Sequence, residues 1–303
     1  MKNPIIFGPV ASRRFGISLG IDLSANVKQC NFDCLYCELD KAKTMSEMND
    51  YPSVDEIISQ IEDVFLKNKK IDVITLTANG EPTLYPHLNQ LVTRINQIKG
   101  KTKTLILSNG STIYKNEIFN TLLEIDTVKL SLDCISQKCF KKLDRVDKSI
   151  NIEKIVPAMI EFSKQTKNNF VIEVLFVKTL NDKDSELELL NESLKKINPH
   201  RVDIGTIDRP PAYDVKPVSY EYLEYVATCF ESVNTNIVYK NRPKQLNSFT
   251  KEEIITTLKR RPMTFDDVDN LLDEDSKQVL NDLLNENKIK IVNSSGVEFY
   301  KIL

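Results

Sequence analysis

Short apolar runs alternate with amphipathic stretches along most of this chain. Apolar residues spaced near 3.6 positions apart predict helices within residues 53–65, 88–98, 118–123, 152–160, 187–197 and 223–230. The intervening, mostly apolar runs predict strands at residues 18–23, 72–77, 104–108, 128–132, 170–177, 202–207 and 237–239. The connections are too long for hairpins. The alternation therefore predicts an α/β fold around a parallel sheet, either open or closed into a barrel.

The last part of the chain breaks this alternation. Helical patterns occur at residues 253–259, 264–267 and 275–285, and residues 288–292 and 297–302 form a predicted hairpin around Gly296. Three helices and a hairpin are typical of a winged helix. The sequence therefore predicts two domains, an α/β domain at residues 1–240 and a small winged-helix-like domain at residues 245–303.

Composition narrows the class of protein. A chain of 303 residues with 41% hydrophobic residues can form one large domain and a small one, and a net charge of −2 gives no global sign of nucleic-acid binding. No apolar run approaches the roughly 18 residues of a membrane-spanning helix, so we expect no membrane association. The cysteines form no even framework at disulfide-like spacing. This favours a cytoplasmic protein in which Cys134, Cys139 and Cys229 are ordinary thiols.

The most informative stretch is residues 30–37, which read CNFDCLYC. It places Cys30, Cys34 and Cys37 on one short loop directly after the first predicted parallel strand. Structural zinc sites use four ligands, and an iron–sulfur cubane also needs four, one for each iron. Three thiolates with one open position favour a cluster whose fourth iron binds a substrate or cofactor. The alternative is a zinc site completed by His87 or by a distant cysteine.

This stretch, with Tyr36 before the third cysteine, resembles the CxxxCxxC loop of the radical S-adenosylmethionine (SAM) superfamily. Residues 79–82, NGEP, resemble the Gly-Gly-Glu-Pro motif of that family, with Asn79 in place of the first glycine. Residues 8–14, 18–37, 80–86 and 209–211 resemble the branch that contains tRNA wyosine synthases and related iron–sulfur oxidoreductases. Wyosine synthases of that branch carry extra cysteines before the loop, whereas no cysteine precedes Cys30 here, so the substrate stays open.

The resemblance implies a partial barrel of six β/α units, a TIM-type fold, with a [4Fe-4S] cluster held by Cys30, Cys34 and Cys37. It implies that the amine and carboxylate of SAM bind the fourth iron. One electron from the reduced cluster then breaks a C–S bond, and the resulting 5′-deoxyadenosyl radical removes hydrogen from a substrate. The protein would position these cofactors.

The resemblance also implies cofactor contacts at the ends of the predicted strands, where such folds place their chemistry. Glu81 would bind the amine of SAM, and Ser131 matches a position that contacts the ribose or the carboxylate. The alternatives are a simple turn at residues 79–82 and ordinary helix capping by the later residues. The complete set of expected cofactor contacts is Tyr36, Asn79, Gly80, Glu81, Pro82, Ser108, Asn109, Ser131, Asp133 and Arg145.

Two further residues are candidates for substrate contacts. Arg209 stands beside Pro210 and Pro211 after the sixth parallel strand, and a rigid guanidinium suits phosphate or carboxylate recognition, although it is equally consistent with a solvated arginine. Glu173 interrupts an apolar strand as either an inward site residue or a surface residue. A buried carboxylate would need a partner.

We therefore predict a radical SAM enzyme that takes one electron from a donor such as flavodoxin or ferredoxin. Its substrate is open, with a nucleoside or RNA as one option. The alternatives are an activating enzyme that installs a radical on a partner protein, and a metal-binding winged-helix regulator. Acidic residues outnumber basic ones at residues 250–303, so we expect the tail to dock a protein partner or the barrel and not duplex DNA.

Overall fold

The first body of the structure is an eight-stranded sheet with its strands in chain order. This computed structural model describes residues 5–12, 15–24, 26–67, 70–238, 246–260, 262–294 and 297–303. Strand β1 runs antiparallel to β2, every later neighbour is parallel, and β1 and β8 form the two edges. The strands are β1 (Ile6–Ser12), β2 (Gly16–Asp22), β3 (Val73–Thr77), β4 (Lys103–Ser108), β5 (Thr127–Ser131), β6 (Asn169–Phe176), β7 (Arg201–Thr206) and β8 (Thr235–Ile237).

In the described ranges, seven helices lie in the connections between the parallel strands. They are α1 (Val54–Leu66), α2 (Leu88–Ile98), α3 (Asn116–Leu123), α4 (Gln137–Leu143), α5 (Ile152–Gln165), α6 (Asp184–Ile197) and α7 (Tyr220–Cys229). Their apolar stripes and one face of the strands form a single core. The N-cap of α1 is Ser53, whose hydroxyl accepts a hydrogen bond from the backbone N–H of Glu56.

The opposite face of the sheet carries polar side chains. Phe170 packs its ring on Phe162 of α5, so its strand neighbour Glu173, three positions on, points to the other face. On that face Ser18 and Thr75 join their hydroxyls at 2.7 Å, and Lys129 pairs with Glu173. The sheet thus separates an apolar, helix-covered side from a polar side that can receive a substrate.

Residues 246–303 form a second set of elements around their own small core. The helices are α8 (Lys251–Arg260), α9 (Phe265–Leu271) and α10 (Glu274–Asn285), and the strands are β9 (Met263–Thr264), β10 (Ile289–Ser294) and β11 (Val297–Ile302). The three strands form an antiparallel sheet in the order β10-β11-β9. The predicted helices and hairpin occur close to their expected positions, and the short β9 adds a third strand.

One prediction about cysteines is wrong. Cys134 and Cys139 are joined by a disulfide and are not ordinary thiols. The sequence analysis did not predict helix α4, which begins between them and brings their Cα atoms to 5.6 Å, within the range that a disulfide can bridge. Glu186 of α6 accepts hydrogen bonds from the backbone N–H groups of Ile135 and Ser136 and fixes this turn.

Some predictions fall on residues outside the described ranges. These are Arg13 and Arg14 of the first resembling stretch, the last predicted strand residue Tyr239, the boundary between residues 240 and 245, and the turn residue Gly296. Within the described ranges, no helix is long and apolar enough to cross a membrane.

Candidate active site

The cysteine loop is joined by backbone hydrogen bonds to the loop after β3. The N–H of Gln29 donates to the carbonyl of Asn79 at 2.8 Å, and the N–H of Glu81 donates to the carbonyl of Gln29 at 2.9 Å. Gly80 lies between these bonds with a φ of +139°, and a Cβ there would lie 1.9 Å from the carbonyl oxygen of Gln29. Only glycine fits this contact. The CxxxCxxC loop and the NGEP loop are therefore one assembly.

The three loop thiols lie in a partly buried, polar setting. The side-chain amide of Asn109 is 3.8 Å from the Sγ of Cys30, and the ammonium of Lys28 is 3.5 Å from the Sγ of Cys37. Burial raises the pKa of Cys30 to about 12 and also raises the pKa values of Cys34 and Cys37. In the absence of a bound cation the thiols stay protonated; a metal centre would hold them as thiolates.

The number of thiols on the loop bears on the kind of metal centre. Cys30, Cys34 and Cys37 are free thiols that supply three ligands and leave one position of a four-ligand centre open, which favours a cluster over a closed zinc site. His87, the predicted zinc alternative, packs its ring against Tyr51 and Tyr85.

Glu81 is buried and accepts four hydrogen bonds. Its Oε1 receives the N–H and hydroxyl of Thr83 at 2.9 and 2.6 Å and the hydroxyl of Ser108 at 2.7 Å, while Oε2 receives the N–H of Asn109 at 2.7 Å. Burial raises the pKa of this carboxyl, and the donors oppose the rise. The carboxylate thus ties the loop after β3 to the loop after β4. Pro82 continues the assembly by opening a short 3₁₀ turn.

Asn109 carries this connection on to the cysteine loop. Its amide nitrogen donates to the side-chain oxygen of Asn31 at 2.8 Å, and its own oxygen accepts from the N–H of Ser111 at 3.0 Å. Ser108 and Asn109 therefore meet Glu81 and Cys30 from the same strand end. Neither residue caps α3, whose N-cap position is Lys115, so ordinary helix capping does not explain them.

Tyr36 and Asp133 meet on the other side of the loop. The Tyr36 hydroxyl donates to Asp133, whose second oxygen accepts from the N–H of Leu175 at 2.6 Å. Burial raises the pKa of Asp133 to about 7, and burial together with Asp133 raises the pKa of nearby Asp144. A cleft beside this pair is lined by Asn109 and Ser131 among others. Neither Ser131 nor Asp133 caps the next helix, because Ser136 does.

The remaining candidates lie around the outside of the loop. The Nε of Arg145 donates to Asp33 at 3.0 Å, and the hydroxyl of Tyr213 donates to the same carboxylate at 2.5 Å. Arg209 pairs with Glu38 at 2.5 Å, and the N–H of Ala212 donates to the carbonyl of Cys37 at 2.7 Å. These two contacts hold the segment after β7 against the cysteine loop. Arg145 is about half exposed, and Asp33 is its partner.

Glu173 has the partner that its partly buried position requires. The ammonium of Lys129 contacts Glu173 and lies 3.4 Å from fully buried Asp203, which Arg201 also pairs at 2.8 Å. The sequence analysis missed Lys129 and Asp203, although both interrupt apolar strands as Glu173 does. It also missed Asp33, Tyr213 and Asn31, which carry no signal in a single sequence because their partners are distant along the chain.

Comparison with known proteins agrees with this geometry. The family model described as "Radical SAM superfamily" matches residues 27–190. The chain is 42% identical to a UPF0026 protein of Helicobacter pylori J99 over 98% of this chain and 97% of that protein. It is 26% identical to a probable dual-specificity RNA methyltransferase RlmN of Fervidobacterium nodosum over 55% of this chain and 48% of that protein.

Solved structures share the fold at low sequence identity. A radical SAM methyltransferase from Sphaerobacter thermophilus superposes with a TM-score of 0.58 at 15% identity, over 73% of this chain and 66% of that one. TYW1 with a lysine-pyruvate adduct gives a TM-score of 0.51 at 16% identity, over 81% of this chain and 80% of that one. The partial-barrel prediction is confirmed by these likenesses.

The chain belongs to the radical SAM superfamily. It is therefore an enzyme of the class that uses a [4Fe-4S] cluster and SAM, takes electrons from a reductant and acts on a substrate. The residues present fit these groups, because three cysteines share one loop with an amide and an ammonium facing two of the sulfurs.

Proposed function

We propose that Cys30, Cys34 and Cys37 hold the cluster and that the loops after β3, β4 and β5 hold SAM beside it. The observation that carries this proposal is the fusion of the cysteine loop and the NGEP loop through the two backbone hydrogen bonds of Gln29. When bound, the reduced cluster supplies one electron to the sulfonium of SAM, and the resulting cleavage creates a radical that can remove hydrogen from a substrate.

In this proposal the residues of the chain position the cluster and SAM and shield them from solvent. Tyr36, Asn79, Gly80, Pro82, Ser108, Asn109, Ser131, Asp133 and Arg145 form the cofactor surround. Glu81 acts mainly by holding two of these loops, since four donors already occupy its carboxylate. The carbonyls of Asn79 and Glu81 already accept from Gln29 and Leu84, so we assign the backbone carbonyl of Gly80 as an acceptor for the cationic amine of SAM. Asn109 and Lys28 stabilise thiolate charge at Cys30 and Cys37.

We further propose a nucleoside or RNA substrate. The polar face of the sheet offers Glu173, about one-third exposed and backed by buried Lys129, as an acceptor for the N–H edge of a base. The likeness to an RNA methyltransferase over half of the chain supports the same class. Arg209, near the cysteine loop through Glu38, is the candidate contact for phosphate.

Anaerobic reconstitution tests the cluster and cofactor. The unaltered protein should bind about four irons per chain. With dithionite it should convert SAM to 5′-deoxyadenosine and methionine. Cys30→Ala, Cys34→Ala and Cys37→Ala should each lose the iron and the cleavage, whereas Cys229→Ala should keep both. Stoichiometric zinc without iron uptake would overturn the assignment.

A second experiment tests the substrate class. Cellular RNA, a small-metabolite fraction and a purified protein fraction, all from cells that lack this protein, are added separately to the reduced enzyme with SAM. RNA or a nucleoside should raise the formation of 5′-deoxyadenosine above its substrate-free rate and acquire a new mass. Stimulation by a purified protein fraction alone would favour the activating-enzyme alternative.

A further inference from the structure

The outer side of the cysteine loop meets the end of helix α4. The backbone N–H groups of Asp33 and Leu35 donate to the carbonyls of Asp144 and Leu143 at 3.1 and 2.9 Å. Cys34 lies between these two donors. Leu143 and Asp144 are buried, but exposed Lys142 and Arg145 flank them in the chain, so the protein surface beside this seam lies close to a proposed cluster ligand, where an electron could enter over a short distance.

Basic side chains surround the seam. The guanidinium of Arg145 lies 4.8 Å from the Tyr213 ring centroid, and Lys41 lies 4.3 Å from the same ring. The hydroxyl of Thr44 donates to Asp147 at 3.4 Å, which joins the segments that carry these bases. We call the exposed lysines of these segments and of the last turn of α4 the basic rim: Lys41, Lys43, Lys141, Lys142 and Lys148.

The basic rim is a local exception to the charge of the chain. The protein has a net charge of −2, yet bases outnumber exposed acids along this seam. Within the part of the chain that the structure describes, no carboxylate forms an ion pair with Lys43, Lys141 or Lys142. Bases in the last turn of a helix suit its dipole, but Lys41, Lys43 and Lys148 lie on loops, so the dipole does not account for the rim.

We propose that the basic rim is the docking surface of the protein that supplies the electron, a small acidic one-electron carrier. The inference rests on the proposed cluster assignment. In the transfer the reduced carrier loses one electron and the oxidised cluster gains it, with no covalent bond made or broken. Complementary charge speeds such encounters and fixes their orientation. An anionic RNA is the other macromolecule that a basic surface could attract. The rim flanks the backbone contact beside Cys34, whereas Glu173, the residue proposed for base recognition, lies in strand β6, and this separation favours the carrier.

The test uses the full chain with charge reversals in the rim. The rim variant is Lys141→Glu/Lys142→Glu/Lys148→Glu. The matched control is Lys167→Glu/Lys195→Glu/Lys196→Glu, exposed lysines at and beyond the carboxyl ends of α5 and α6. Helices of β/α units run antiparallel to the strands, so these ends lie at the opposite end of the sheet from the cysteine loop.

The first readout is the binding of flavodoxin to apo and reconstituted protein. At low salt we expect the rim variant to bind about tenfold or more weakly, with much less salt dependence, and the control to bind like the unaltered protein. The second readout is the rate of cluster reduction by reduced flavodoxin, which should fall in parallel. Reduction by dithionite, a small reagent that needs no docking surface, should be unchanged in all three proteins.

Each other outcome decides the question. Equal flavodoxin affinity in the rim and control variants overturns the proposal. Loss of RNA binding in the rim variant, with flavodoxin binding retained, reassigns the rim to a substrate surface. If the glutamates impair folding, the Lys141→Gln/Lys142→Gln/Lys148→Gln variant removes charge without reversal and must still weaken flavodoxin binding. Failure of dithionite to support SAM cleavage in the unaltered protein would instead refute the proposed function.

Discussion

Gly80 is the residue whose substitution most directly tests how the two loops are joined. Its φ of +139° and the 1.9 Å approach of a Cβ to the carbonyl oxygen of Gln29 leave no space for a side chain. We predict that Gly80→Ala displaces the cysteine loop and reduces iron incorporation severalfold. The measurement is iron per chain after anaerobic reconstitution, with the visible absorbance of the cluster.

Gly100 is the matched control for that substitution. It also has a positive φ, +57°, but nothing lies within 4 Å of the position of its Cβ. Gly100→Ala carries the backbone strain without the collision, so it should keep its iron. Equal iron loss in both variants would mean that strain, and not the contact with Gln29, explains the effect.

Substitution of Glu81 tests whether this carboxylate positions the loops or binds the SAM amine directly. In Glu81→Gln an amide group replaces one carboxylate oxygen, so an N–H₂ group must face the donors of Thr83, Ser108 or Asn109. Each unpaired buried donor costs about 1–3 kcal/mol, which is about fivefold to 150-fold in an equilibrium constant, so we expect SAM affinity to fall by at least about fivefold.

The readout for Glu81→Gln is the dissociation constant for SAM, with iron content measured in parallel. Iron should be kept, and the exposed Glu117→Gln should bind SAM like the unaltered protein. If Glu81→Gln binds SAM as tightly as the unaltered protein, then the hydrogen bonds of this carboxylate are not needed to shape the site.

Helix α4 was not predicted from the sequence, although the cysteine loop donates hydrogen bonds to the carbonyls at its end. Its seven residues are too few to show a helical period, and Glu186, which accepts hydrogen bonds from its N-cap Ser136, is distant in sequence. The helices and strands of the β/α units were predictable because their apolar periods are long. The polar contacts of Asp33 and Asp203 were not predictable, because each depends on several segments meeting in three dimensions.

The disulfide that α4 creates can be tested by counting thiols. Cys30, Cys34, Cys37 and Cys229 are the free cysteines. We predict that apo protein, unfolded under non-reducing conditions with an alkylating reagent, gains four adducts by intact mass, and six after reduction. Cys139→Ser should free Cys134 and give five adducts without reduction. Six adducts on the unreduced, unaltered protein would show that the pair is not joined.

The assembly of the whole chain combines a catalytic sheet with a separate C-terminal core. The parallel strands bring distant loops to one end, so motifs spread from residue 30 to residue 212 meet around the three cysteines. The sequence indicated this convergence because each motif follows a predicted strand. Residues 246–303 contribute none of these contacts within the described ranges, although α8 lies beside β1. We therefore expect these residues to dock a protein partner or the barrel.

The last prediction concerns that C-terminal part and duplex DNA. Binding to DNA takes most of its affinity from Lys and Arg beside phosphates. Helix α10, the expected recognition helix, is capped by Asp273 and continues with Glu274 and Asp275. Lys277, the base nearest this end, already pairs with Glu274 and Asp269. These acids repel phosphate at the helix end that would otherwise attract it.

We therefore expect the full-length protein to show no binding to random duplex DNA beyond weak, millimolar contact at low salt, measured by fluorescence anisotropy. Lys277→Ala should leave that signal unchanged, because a paired lysine offers little charge to phosphate. A micromolar affinity that weakens steeply with salt and falls in Lys277→Ala would contradict the prediction. It would also give the C-terminal part a nucleic-acid role in place of docking to a protein partner or to the barrel.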